Sequence, residues 1–467
     1  MIVQTVLDHA DAHLETARER WFDFLRIPSV SAQPTHDADC AAAAAWLRDQ
    51  LASIGFEAAI HPSAGRPTAG HPVVVAHHPG PDRDAPHLLF YGHYDVQPAE
   101  PLELWDHPPF EPTMVDGPHG KRVHARGAVD DKGQVMLWLE ALRAWHEATG
   151  SLPVRVTVLI EGEEEIGSPN LEAFVVAHRD ELAADVAVIS DTNMWNVDTP
   201  ALTTRLRGMV YAQVTLKAAA RDLHSGLFGG SALNPINALT NILGQLHDPD
   251  GRVQLDGFYD GVADVSADQL AAWEQLGFDE SAFLRGVGLA HAVGERGRAP
   301  LERMWVRPTA DINGIWGGYQ GPGSKTVIAA EAGAKVSFRL VPGQDPAAIA
   351  DSFRRFVAER APADAKATVE IFNHSPGIEI AAGGRFLTAA QAALSDEFGR
   401  PAVLMGSGGS IPVVEGLRRV LGIDSLLMGF GLDDDQVHSP NEKFEWSCFR
   451  RGIRSHVRFL AHLTAPS

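Results

Sequence analysis

The sequence predicts an α/β fold interrupted by an inserted α+β domain, and three observations carry that reading. Short apolar runs alternate with helical segments through the first two hundred residues, the pattern of a sheet covered by helices. From Leu206 to about His374 the order becomes β-α-β-β-α-β, the split arrangement of ferredoxin-like domains. After Pro376 the α/β pattern resumes. The chain is therefore divided into a first domain over 1–205 and 376–467 and an inserted domain over 206–375.

Taken from the N-terminus, helices are expected near 3–25 and 38–53, the second alanine-rich and closed by Gly55. Apolar runs at Pro72–Ala76, His87–Tyr91, Val154–Ile160 and Asp185–Ser190 read as strands, and Gly133–Thr149 reads as a helix that stops at Gly150. In the inserted domain we expect strand Met209–Leu216, helix Pro235–Leu246, strands Thr326–Glu331 and Lys335–Val341, helix Pro346–Arg360 and strand Ala367–Phe372. An extra, mainly helical stretch occupies about 247–310, and the Gly-rich turn Gly317–Ser324 leads back to the third strand. Helix Gly384–Phe398 and strands Val403–Met405 and Leu426–Gly429 complete the first domain.

Composition narrows the function. The 467 residues carry 39 Lys+Arg against 60 Asp+Glu, a net charge of −21, so no nucleic-acid partner is expected. No run approaches the ~18 apolar residues of a membrane span. Two cysteines, Cys40 and Cys448, are too few for a disulfide framework, and the opening residues lack a signal-peptide core. The expectation is a cytoplasmic protein with no membrane partner.

The residues just beyond each apolar run point to chemistry, because ligands in open α/β sheets bind outside the carboxyl ends of strands. The run LLFYG precedes His93 and Asp95, VTVLI precedes Glu161, Glu163, Glu164 and Glu165, and ADVAVIS precedes Asp191. Asp130 and Asp131 sit just before the Gly133 helix, and His438 lies in the polar loop GLDDDQVHSPNEK. Each feature alone has an ordinary reading as a solvated face, a loop histidine or an N-cap. Together they describe a metal site of His and carboxylate donors without sulfur, suited to zinc, manganese or cobalt in a hydrolytic role. GYQGPGSK lacks the lysine and hydroxyl order of a P-loop, GGSIP lacks the second glycine of a nucleophile elbow, and HExxH is absent.

The motifs YGHYDVQP, RGAVDDKG, EGEEEIGS, SDTNMW, DLHSG, GGSIP and the His438 loop occur in this order. In this the sequence resembles the co-catalytic dizinc metallopeptidases that include carnosinase-type dipeptidases, glutamate carboxypeptidases, desuccinylases and aminoacylases, and it is most similar to the carnosinase-type branch. The resemblance implies a mixed-sheet catalytic domain with helices on both faces and a lid domain through which two chains form a homodimer. It implies two divalent ions per chain, most often Zn2+, with His93 and Asp191 on one, Glu165 and His438 on the other, and Asp130 bridging them. It makes the Asp130–Asp131 peptide bond cis, Glu164 the general base acting on the water between the metals, and Asp95 the carboxylate that orients His93. Glu163 departs from relatives that carry an apolar or small residue there. His224, Thr326, Arg339, His374, Gly409 and Ser410 match substrate positions, the last two in a turn of the catalytic domain. His224 would reach the partner subunit's site to stabilise the oxyanion, and the Arg339 guanidinium suits a substrate carboxylate. The implied activity is hydrolysis of dipeptides or short peptides with a free C-terminal carboxylate. The alternatives are an N-acyl-amino-acid deacylase or desuccinylase of the same family, and a silent binding protein, against which retention of Glu164 argues.

Overall fold

The N-terminal apolar stripe forms two helices, Ile2–Ala12 and Leu14–Leu25, where the sequence suggests one. The break falls at His13, which leaves the helical conformation and whose Nδ1 lies 2.9 Å from the His9 carbonyl oxygen, a polar contact added to the backbone bond from the His13 N–H to the same oxygen. The computed structural model describes residues 2–63, 70–380 and 384–464. These divide into two compact units, one holding residues up to Thr204, Ile380–Met405 and Gly416 onward, the other Arg205–Glu379 with Gly406–Glu415.

In the first unit the strands line up in the order Glu57–His61, Val73–His78, Arg155–Glu161, His87–His93, Val186–Ile189, Ser425–Leu427 and Ala201–Leu206. Four neighbours in this row, Arg155–Glu161, His87–His93, Val186–Ile189 and Ser425–Leu427, run parallel. Flanking pairs are antiparallel, so the sheet is mixed. The parallel strands are apolar along their length and buried on both faces, as βαβ layering requires. Helix Lys132–Thr149 is buried from Lys132 to Trp145 and ends at Gly150 with φ 81°, the left-handed cap that glycine adopts without strain. A Cβ on Gly133 would lie 1.8 Å from the Ala128 carbonyl oxygen, so this helix start packs directly on the loop that precedes it. A small sheet of Lys443–Glu445, Gly120–His124 and Thr113–Gly117 is present that the sequence pattern does not announce.

The second unit has a four-stranded antiparallel sheet in the order Thr309–Gly317, Glu331–Leu340, Gly208–Lys217, Lys366–Ser375. Val210, Ala212, Val214 and Leu216 form the buried face of its central strand and share a core with Leu239, Ile242 and Phe353 of helices Pro235–Leu243 and Pro346–Arg360. Both helices begin with proline at N1 behind an Asn234 or Asp345 cap. The order is that of the split β-α-β-β-α-β motif, but one strand differs from expectation. Of the expected strand Thr326–Glu331 only Glu331 is in this sheet, as the first residue of Glu331–Leu340; Val327–Ile328 instead pairs with Leu223–His224 in a separate ribbon. The place belongs to Thr309–Gly317, an edge strand with a register shift between Ile312 and Gly314. That irregularity erases the period-two pattern by which strands are read.

The mainly helical stretch expected over about 247–310 holds helices Ala267–Glu274, Glu280–Gly286 and Pro300–Trp305. Gly406–Glu415 packs with the second unit, whereas the sequence places Gly409 and Ser410 in the first domain. Its ties explain the shift: the Arg207 N–H donates to the Gly409 carbonyl at 3.1 Å and the Ser410 hydroxyl donates to the Arg207 carbonyl at 2.6 Å. Among the described residues no helix is long and apolar enough to cross a membrane.

Candidate metal centre

Parallel pairing explains why distant motifs meet. His93 ends its strand directly opposite Glu161 of the neighbouring one, and Tyr91 lies opposite Ile189, two residues before Asp191. The carboxyl ends of three adjacent strands thus deliver His93, the Glu163–Glu165 turn and Asp191 to one place. The fourth parallel strand, Ser425–Leu427, leads into the loop that carries His438. In that loop Gln436, His438 and Asn441 have φ of 56°, 62° and 63°, conformations that side-chain-bearing residues adopt where the surroundings impose them. Asp130 stands at the start of helix Lys132–Thr149, and the Asp130–Asp131 peptide bond is cis.

Two donor groups result. His93, Asp130 and Asp191 form one; Asp130, Glu165 and His438 form the other; within each, one ligand atom per residue lies within 4.8 Å of the rest. Asp130 is common to both and divides its carboxylate between them. Its Oδ1 is 3.2 Å from His93 Nε2, and its Oδ2 is 2.9 Å from His438 Nε2. His93 Nε2 is 3.8 Å from Asp191 Oδ2, and His438 Nε2 is 3.1 Å from Glu165 Oε2.

The surroundings hold these donors in place. His93 Nδ1 meets Asp95 twice, at its carbonyl oxygen (3.0 Å) and at carboxylate Oδ1 (3.4 Å). The buried Asp95 carboxylate also accepts the backbone N–H groups of Glu164 and Glu165 at 3.2 and 3.0 Å. One side chain therefore ties the orientation of His93 to the turn that presents both glutamates. Glu163 turns away: its carboxylate accepts from the Asn170 amide at 3.0 and 2.9 Å and from the His71 N–H at 3.1 Å. Gln97, which in the sequence is only one member of the YGHYDVQP motif, donates to Glu165 Oε2 at 2.8 Å. Asp131 accepts the His93 N–H through Oδ2 at 3.1 Å.

Burial and like charge dominate the electrostatics. Burial pushes the Glu164 carboxyl up to about 8; His93 opposes this, and Asp191, Glu165 and Asp130 add to it. Burial also pushes Glu161 up to about 7. Burial would raise Asp130 as well, but hydrogen bonds from His438 and His93 prevail and hold it well below the usual carboxylate range. Those to Asp130 and Glu165 lift His438 to about 10. The cluster thus demands positive charge, and protons on its imidazoles supply it when no cation is bound. His93 is fully buried, with Nε2 facing Asp130 Oδ1 and Asp191 Oδ2. Imidazole nitrogens and carboxylates with no thiolate are the donors that zinc, manganese or cobalt accept, so the residues fit the divalent ions implied for them.

The substrate positions named from the sequence lie in the second unit. His224 is exposed and opposes Val327 in the two-stranded ribbon. Its Nδ1 accepts the Gly226 N–H at 3.0 Å, which leaves Nε2 as the donor of the neutral ring. Thr326, next to Val327, accepts the Ser225 N–H at its carbonyl. Arg339 and His374 belong instead to the four-stranded sheet, on strands either side of the central one, opposite Met209 and Val210. Arg339 Nη1 donates to Ser410 Oγ at 3.1 Å, so Arg339 and the Gly409–Ser410 turn form one constellation, separate from the ribbon of His224 and Thr326.

Comparison with known proteins gives concordant results. Residues 89–462 match the model of peptidase family M20/M25/M40. The chain is 30% identical over 462 residues to the Cys-Gly metallodipeptidase dug1 of Schizosaccharomyces pombe, covering 94% of each protein. It is 30% identical over 400 residues to the Beta-Ala-His dipeptidase of Rattus norvegicus, covering 84% of this chain and 80% of that protein. The crystal structure of human carnosine dipeptidase 1 superposes with a TM-score of 0.83 at 27% identity, over 99% of both chains.

Proposed function

The chain belongs to peptidase family M20/M25/M40, and from that premise we propose that it is a metal-dependent dipeptidase acting on dipeptides or short peptides with a free C-terminal carboxylate. The observation that carries the reading is the division of the Asp130 carboxylate between two His-containing donor groups. That arrangement suits two divalent ions, zinc first among them, with His93 and Asp191 on one and Glu165 and His438 on the other. Ions held there would polarise a scissile carbonyl and lower the pKa of a bound water.

The chain's own groups do the rest. Glu164 takes a proton from the attacking water on its carboxylate and returns it to the leaving nitrogen as the C–N bond breaks. Its pKa, held high by burial in the ion-free chain, would fall with divalent charge on the donor groups, so that it could accept that proton. Asp95 keeps His93 in register with the Glu164 turn. Arg339, steadied by Ser410, takes the substrate carboxylate through its planar fork, with Thr326, His374 and Gly409 as further substrate contacts. His224, with Nε2 as donor, serves the oxyanion across a homodimer formed through the lid. The two unpaired, buried cysteines, Cys40 and Cys448, support a cytoplasmic setting.

The test is a hydrolysis panel of one dipeptide, its C-terminal amide and an N-acyl amino acid, run with and without chelator. The reading predicts chelator-sensitive cleavage of the dipeptide well above the other two. Equal cleavage of dipeptide and amide contradicts the role of Arg339, and preference for the acyl amino acid contradicts the substrate class.

A further inference from the structure

Glu442, four residues after His438, is fully buried, and every acceptor position of its carboxylate that the structure uses faces the loop bearing Asp130. Oε2 accepts from Arg126 Nη1 at 2.7 Å and from the Gly127 N–H at 3.0 Å. Oε1 accepts from the N–H groups of Val129 and Asp130 at 3.0 and 3.1 Å. The Glu442 carbonyl accepts the Ala125 N–H at 3.1 Å, and the strand just beyond it pairs Lys443 with His124. One side chain thus gathers four of the five residues 126–130 around two oxygens.

A carboxylate is the group this arrangement requires. Four donors converge on it and none of them can accept, so an amide in its place would turn an NH2 against backbone N–H groups. A buried charge of this kind is expensive unless paired and hydrogen-bonded throughout, and Arg126 Nη1 together with three backbone donors meets that condition. Glu442 does not itself belong to either donor group. Its position is nonetheless decisive, because Asp130 is the donor common to both and His438 lies on the same loop as Glu442.

We propose that Glu442 is a positioning residue that fixes the shared carboxylate of Asp130 relative to His438, and so sets the affinity of both ion positions at once. The inference rests on the reading of Asp130 as the bridging ligand. Groups that orient metal ligands typically contribute about 10–100-fold in affinity, and here the loss should fall on both positions in parallel.

The experiment titrates zinc into ion-free wild type, Glu442→Gln, Glu442→Asp and Asp130→Ala in competition with a chromophoric chelator, with circular dichroism to confirm folding. Glu442→Gln should weaken both positions by about 10–100-fold, and Glu442→Asp, which keeps the acceptors but shortens the reach, by less. Wild-type affinity in folded Glu442→Gln, or loss at one position alone, overturns the proposal. Both ions retained by Asp130→Ala would refute the bridging assignment instead. Should the Glu442 variants not fold, hydrogen exchange in the ion-free wild type decides: the Gly127, Val129 and Asp130 amides should be protected before zinc is added. Free exchange until zinc binds would show that the ion, not Glu442, organises the loop.

Discussion

At the residue scale the site is a problem of unbalanced charge. Glu164, raised to about 8, binds a proton in the folded ion-free protein over a range in which the unfolded chain has released it. Stability from this group is therefore full below the ordinary glutamate pKa of about 4.5 and is lost as pH rises toward 8. With ions removed, Glu164→Gln should gain thermal stability relative to wild type as pH goes from 5 to 8; a gap that stays constant across that range contradicts the buried, like-charged setting. With ions bound the same variant should retain both metals and lose turnover by ~10²–10⁴-fold, read by metal analysis beside kcat. Near-native turnover would remove Glu164 from the role of base. Arg339→Lys keeps the charge but not the fork, so the preference of the enzyme for a dipeptide over its amide should fall sharply; an unchanged ratio would place the substrate carboxylate elsewhere.

At the element scale the decisive feature is the parallel row of strands whose carboxyl ends carry the donors. This was legible in the sequence because several apolar runs each stop at a histidine or carboxylate, residues that are ordinary singly at a strand end but that together describe a site. The edge strand Thr309–Gly317 was not legible, since its irregular register removes the alternation on which strand reading depends. Gln97 and Glu442 escaped for a different reason. A single polar residue in a loop shows nothing until its partner is known, and the partners of Glu442 lie more than 300 residues away. Where helix Lys132–Thr149 begins, a methyl group at Gly133 would collide with the Ala128 carbonyl oxygen. Gly133→Ala should consequently displace the Asp130 loop and lower both melting temperature and zinc affinity. An unperturbed affinity would show that the loop holds its place independently of the helix start.

At the scale of the whole molecule the two units divide the labour. The first carries every proposed metal donor and Glu164, and the second carries every proposed substrate contact. Such a division makes assembly testable, because His224 is exposed on its own chain and presents Nε2 as a donor. If two chains complete each other's sites, mixing inactive His224→Ala with inactive Glu164→Ala should restore part of the activity, one site of the mixed dimer having both residues intact. An active monomer, or no recovery despite proven subunit exchange, contradicts the exchange of His224. All of this depends on two ions meeting at Asp130, and counting them is the most direct measurement. Elemental analysis of active enzyme should give two divalent ions per chain, with activity lost on chelation and regained when zinc, manganese or cobalt is restored; full activity with one ion per chain, or with none, would contradict the account.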